Sequence, residues 1–232
     1  MSAWDIFYRQ LVELEGYKNV LIGLKNTALI AVFGLLIGLI IGCLLATCQI
    51  LPKTNWLVRL LSRFADVYIA IFRGTPMVVQ LLLIHFVIFP AIGVRISPVT
   101  EASIAFGLNS GAYVSEIMRG GILSIDAGQT EAGRALGLNY RQTMMNIVLP
   151  QAIKNVIPTL GNEFIALLKE TSVVSFIAVV DLTKAFRQIG DSNYKYLIPY
   201  LMLAAVYLVI VMVITWLIKL LERRLKKVDR NQ

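Results

Sequence analysis

The sequence predicts an all-α integral membrane protein, five transmembrane helices with a cytoplasmic helix-turn-helix, and three observations predict it. Of 232 residues, 57% are hydrophobic and only 16% charged, with a mean hydropathy of +0.72, against roughly 25% charged in soluble domains. Apolar runs that reach the roughly 20 residues needed to cross a bilayer recur along the chain. The basic residues behind the net charge of +8 fall in alternate connections, where the positive-inside rule collects them. That pattern explains the charge without a nucleic-acid partner. The length leaves no room for an additional soluble domain, so residues 1–232 read as one transmembrane unit.

Residues 1–19 mix Trp4, Ile6, Phe7, Leu11 and Leu14 with Asp5, Arg9, Glu13 and Glu15. This is an amphipathic helix suited to the outer membrane interface, and it lacks the basic start and cleavage site of a removable signal. The first span is expected over 21–51, where Gly34, Gly38 and Gly42 line one face for a close helix neighbour. After Pro52, Lys53 and Asn55, the apolar stretch 56–92 is too long for one plain crossing. One tilted or kinked span is expected, broken where Phe72, Arg73, Gly74, Thr75 and Pro76 combine a cation, a permissive glycine and a helix breaker. A third span covers 97–118, again with a small face of Ser103, Gly107 and Gly111.

Residues 120–149 are mixed and polar, with two helix-start signals, Asp126 followed by Gln129 and Asn139 followed by Gln142. With Gly137 between them as a stop, the segment spells a helix, a tight turn and a second helix closed by Pro150. The fourth span, 150–168, contains Pro158, Asn162 and Glu163; residues 173–180 are too few to cross and suit a re-entrant or surface helix. A last span over 197–221 runs into the basic tail 222–232. An odd number of crossings puts the N-terminus outside and the tail in the cytoplasm, together with 51–63, which holds Lys53, Arg59 and Arg63, and with 120–149.

An ionisable side chain within a span costs on the order of 2.5–3.5 kcal/mol on insertion scales, so by default it faces a cavity or a partner. Glu163, beside Asn162 and one turn after Pro158, forms an acceptor cluster suited to an ammonium or guanidinium group. The alternatives are an ion pair with Arg73 or a hydrogen bond between subunits. Asn109, Ser110 and Tyr113, with Glu116, either line a route through the bundle or bond helices together. Arg73 could take a carboxylate through its planar fork, or tie the break to a free carbonyl. Cys43, Cys48 and the lone His85 have no metal-ligand spacing, and no catalytic residue is indicated.

Gly128, Gln129, Thr130, Glu131, Ala132 and Gly133, then Gly137, then Ile147, Leu149 and Pro150, resemble the cytoplasmic signature of ABC importer permeases. Gly133 stands where that signature commonly has Ala. Residues 72–76, Gly111, Ala112 and Tyr113 with Glu116, and Lys169, Glu170, Thr171 and Ser172 resemble the polar amino acid branch, and the similarity covers most of residues 20–220. The resemblance implies the permease subunit of a type I importer in a bacterial inner membrane. Coupling to the ATPase would run through Gly128, Gln129, Glu131, Ala132, Gly133, Gly137, Ile147, Leu149 and Pro150. Implied partners are two copies of an ATP-binding subunit, a second permease copy, an extracellular or periplasmic solute-binding protein, and a polar amino acid. Lys169 to Ser172 would meet the binding protein or an outer gate.

ATP and Mg belong to the partner, because this chain lacks Gly-x-x-x-x-Gly-Lys-Ser/Thr and is expected to hold no cofactor. Candidate substrate residues are Glu163, Asn162, Arg73, Asn109, Ser110 and Tyr113. One buried acid points to arginine, lysine or histidine, while glutamine stays open. From the residues alone, an ATP-independent channel or secondary carrier using Glu163 and Arg73 also stays open.

Overall fold

The computed structural model describes residues 2–229, all of whose regular elements are helical; Arg230, within the expected basic tail, lies outside the described residues. Helix α1 (Ala3–Tyr8) starts at Ser2, whose hydroxyl accepts from the Asp5 amide, and continues through a wide π turn, Arg9–Glu13. Phe7 turns inward onto Leu182, Phe186 and Ile189. Helix α2 (Gly16–Ile50) has 35 residues and, at 1.5 Å per residue, is about 52 Å long, more than a bilayer core requires.

Helix α3 (Trp56–Gly74) and helix α4 (Met77–Leu83) meet at a bend of 106°, much sharper than a kinked span. The cause is local. Thr75 and Pro76 are extended, at φ −125° and −64°, and a residue before proline is driven out of the helical region. A π turn over Ile84–Ile88 joins α4 to the short α5 (Phe89–Ala91), and α6 (Pro98–Leu123) follows, capped by Ser97.

The cytoplasmic-signature segment folds as α7 (Ala127–Ala135) and α8 (Tyr140–Thr143). A π turn over Met144–Val148 then runs directly into α9 (Leu149–Glu170). Pro150 was expected to close one helix and open another; instead the helix runs through it. Both π turns that lead towards a proline, at Pro90 and Pro150, end two residues before it. The widened turn offsets the clash and lost hydrogen bond that proline imposes on a regular helix. A 3₁₀ stretch, Thr171–Ile177, leads to α10 (Leu182–Asp191), and α11 (Leu197–Asp229) is the last element among the described residues. The segment expected as a re-entrant or surface helix is thus a 3₁₀ stretch whose Val174 and Ile177 lie in the core.

The centre of the molecule is the α2–α6 pair. A Cβ on Gly34, Gly38 or Gly42 would lie 3.0, 2.7 and 2.5 Å from Phe106, Ser110 and Val114 respectively, while Gly107 and Gly111 receive Ile37 and Ile41 of α2. The two small-residue faces therefore meet each other inside one chain. Gly38→Leu is expected to overpack this seam at a cost of about 1–3 kcal/mol, read as a lower thermal midpoint in detergent. Gly120→Ala, with open space around its Cβ, should leave the midpoint unchanged.

A second junction ties α10 to α2. Asn26 Nδ2 donates to the Val180 carbonyl at 2.8 Å, and Asp181 caps α10 by accepting from the amides of Thr183 and Lys184. By length and composition α2 and residues 197–224 of α11 can cross a membrane, and the bent pair makes a third at most. Helices α6 and α9, at 26 and 22 residues, are long enough but carry acids and bases within their length. No residue in the apolar window of α11 is fully buried: Met202, Val206 and Ile210 pack on the Leu182 cluster, and the opposite face is left for lipid or another chain.

Candidate functional site

The bend between α3 and α4 leaves carbonyls of α3 without helical partners, and two buried amides satisfy them. Gln80 Nε2 lies 2.8 Å from the Phe72 carbonyl, 3.0 Å from that of Thr75 and 2.8 Å from Thr75 Oγ1. Asn109 Nδ2 donates to Gln80 Oε1 at 2.9 Å and reaches the Phe72 carbonyl at 3.4 Å. The break is therefore held by Gln80 and Asn109, and the Arg73 guanidinium is left for other work. Gln80→Leu should remove this tie and strand buried acceptors, costing about 1–3 kcal/mol. Thermal unfolding of the purified chain checks it.

Arg73 lies on the side of α6 that carries Tyr113 and Glu116. Its Nη1 is 3.6 Å from Glu116 Oε2, and its Cζ sits 5.5 Å from the centre of the Tyr113 ring. Glu116 also accepts from Arg119 at 2.9 and 3.3 Å. Arg73, Thr75, Asn109, Tyr113 and Glu170 together line a cavity of about 380 Å³. Helical spacing on α6 brings Asn109, Tyr113 and Glu116 to one side, as the sequence spacing implied.

Glu163 lies elsewhere on the same bundle. Ser110, fully buried under Gly38, donates to Glu163 Oε1 at 3.0 Å and joins α6 to α9. The considered Glu163–Arg73 ion pair does not form: the acid of Arg73 is Glu116, and no cation among the described residues pairs with Glu163. Asn162 makes no hydrogen bond among the described residues and does not line the Arg73 cavity. It is adjacent to Glu163, so helix geometry turns it about a quarter-turn away.

Sequence reading missed Gln80, and it assigned Glu170 to an outer contact while the structure places it in the wall of the Arg73 cavity. Gln80 and His85 are the only polar residues in 77–89, and an amide within an apolar run is itself a signal, since its burial requires partners. His85 likewise has a partner, the carboxylate of buried Glu101.

The α7–α8 segment is built from caps. Asp126 accepts from the Gly128 amide at 2.6 Å, and Asn139 and Gln142 exchange a reciprocal pair at 2.9 Å. At the end of α7, Gly137 takes φ +79°, its amide donates to the Arg134 carbonyl, and the Leu138 amide returns to Gly133. Gly133 is buried, and a Cβ there would lie 2.8 Å from Thr143, so its smallness lets α7 pack on α8. Ala132 and Glu131, by contrast, are exposed. Gln129 faces Gln151 at 3.5 Å, and Ile147 and Leu149 are half-buried along the run into α9.

Long apolar helices, polar groups buried between them and a capped two-helix segment in a polar connection define a membrane transport subunit. Residues 27–227 match the family described as binding-protein-dependent transport system inner membrane component, and the chain belongs to that family. It is 41% identical over 210 residues to the arginine transport system permease protein ArtQ of Bacillus subtilis (strain 168), covering 90% of this chain and 94% of that one. The glutamine transport system permease protein GlnP of Escherichia coli (strain K12) is 39% identical over 205 residues, covering 88% and 91%. Among solved structures, an amino acid ABC transporter with histidines superposes at a TM-score of 0.83 with 37% identity, covering 92% of this chain and 97% of that one. The MetNI methionine ABC transporter shares the fold at 21% identity and a TM-score of 0.65, covering 91% and 94%.

Proposed function

We infer that this chain is the permease subunit of an ATP-driven importer of polar amino acids in a bacterial inner membrane. Five helices, α2, α3, α6, α9 and α11, would cross, with the N-terminus outside and the C-terminus in the cytoplasm. Residues 1–19 would lie at the outer interface, 120–149 would couple to the ATPase and 222–232 would form a basic cytoplasmic tail. Two copies of this chain, or one with a sister permease, would enclose the path. Two ATP-binding subunits would hold the ATP and Mg, and a solute-binding protein would deliver substrate from outside.

The observation that carries the reading is the capped pair α7–α8, whose Glu131 and Ala132 face outward from a turn that Gly137 closes. Two helices with their own caps and an outward face, in a chain with no nucleotide motif, suit docking to a separate motor. For substrate, Glu163 offers a carboxylate that pairs with no cation among the described residues, suited to an ammonium or guanidinium group, and Arg73 beside Tyr113 suits the amino acid carboxylate. Arginine, lysine and histidine fit the extra positive charge; glutamine would use the same acid for its ammonium. The arginine, glutamine and histidine in the names of the similar proteins support a polar substrate.

The test is purification of the C-terminally tagged chain from membranes, identification of what accompanies it, and an ATPase assay. A stoichiometric ATP-binding subunit with substrate-stimulated hydrolysis is the expected result. A chain that purifies alone and transports in liposomes without ATP overturns the reading in favour of a channel or carrier.

A further inference from the structure

A second cavity, about 510 Å³ in volume, lies away from the substrate residues. It opens where the end of α2 meets α6 and the start of the run from α8 into α9, walled by Cys43 and Ile50, by Met118, and by Tyr140, Arg141 and Met144. Its volume is within the range of small-molecule sites, roughly 300–1,000 Å³. Apart from Arg141 its walls are dominated by aliphatic and thioether groups, and methionine side chains adapt to irregular apolar ligands.

Arg141 makes no ion pair or hydrogen bond among the described residues, so a free cation stands over an apolar slot. Lys53 lies in the connection that follows the same end of α2, and Arg59 in the first turn of α3 beyond it, so the surroundings are basic. An acyl chain below and a negative headgroup above match both parts of this site. Anionic lipids attract basic residues placed at the cytoplasmic surface of a membrane.

We propose that this cavity holds one acyl chain of an anionic phospholipid from the cytoplasmic leaflet, with its phosphate on Arg141. The lipid fills the gap between α2 and the segment that docks the ATPase, and so braces that segment against the bundle. The proposal rests on the orientation given above, in which this end of α2 faces the cytoplasm.

The complex is reconstituted in phosphatidylcholine nanodiscs doped with a phosphatidylglycerol that carries a diazirine on its acyl chain, and the photolabelled residues are mapped. Labelling is expected to concentrate on residues 43–51, 118–122 and 140–149. Unlabelled phosphatidylglycerol should compete about fivefold better than phosphatidylcholine, the order expected from one basic side chain at an anionic surface. Cys43→Trp, which fills the slot, should abolish the label, and Arg141→Glu should keep the label but remove the lipid preference. Labelling spread evenly over α3 and α11, no anionic preference, or a crosslink from this cavity to a second permease copy overturns the proposal. Orientation is read separately with an impermeant maleimide on the Arg141→Cys variant, with Cys43 and Cys48 replaced by Ser. Reaction from the cytoplasmic face without lipid labelling removes the lipid proposal alone. Reaction from the outer face removes the orientation, and the lipid proposal with it.

Discussion

Replacing Gly137 by proline is expected to uncouple ATP hydrolysis from transport while the chain still inserts and assembles. Gly137 sits at φ +79° and donates its amide to the Arg134 carbonyl, and proline can supply neither the angle nor the donor. The Leu138 amide returning to Gly133 depends on the same turn. Its loss frees α7 from its set angle on α8, while the spans, held by α2 against α6, are untouched. A graded series separates geometry from bulk. Gly137→Asn, a residue that tolerates the left-handed region, should keep most coupling. Gly137→Ala should lose part of it, consistent with a strain of about 1–3 kcal/mol, and Gly137→Pro should lose at least about tenfold in substrate moved per ATP, the equivalent of 1.4 kcal/mol. The measurement is paired transport and hydrolysis in proteoliposomes. Coupled transport unchanged in the proline variant would remove the docking role.

Glu163→Gln should reduce transport of cationic amino acids about tenfold or more and that of neutral ones much less. The substitution is nearly isosteric, and the amide oxygen can still accept from Ser110, so the α6–α9 contact survives and only charge is lost. A charge pair at about 4 Å is worth on the order of 4 kcal/mol at an effective dielectric constant near 20, part of which desolvation offsets. Competition between labelled arginine and glutamine in proteoliposomes reads the effect. An equal fall for both, or no fall in either, would remove the role of Glu163 in selecting the cationic side chain.

Residue by residue, the sequence exposed those features that depend on neighbours within one turn. The caps at Asp126 and Asn139, the stop at Gly137 and the break at Pro76 are where the local pattern puts them. The site was partly legible for the same reason: Asn109, Tyr113 and Glu116 share a face because three- and four-residue spacing places them there. Gln80 was overlooked because its role is to satisfy Phe72 and Thr75, and such a need exists only once the chain has turned by 106°. Pro150 misled because a proline reads as a boundary, whereas a π turn one step earlier lets the helix continue.

Hydropathy, charge placement and capping chemistry by themselves determined that this is a helical membrane chain with a folded polar segment, since each is set by the residue and its immediate neighbours. Tertiary structure alone decided which partner each buried group took: Glu116 rather than Glu163 for Arg73, Ser110 for Glu163, and α6 for the glycine face of α2. Those choices join residues far apart in the chain, and a buried polar group or a glycine face can be satisfied by any neighbour that packing brings within reach. The need was therefore written locally, and the partner was selected by the packing of the whole bundle.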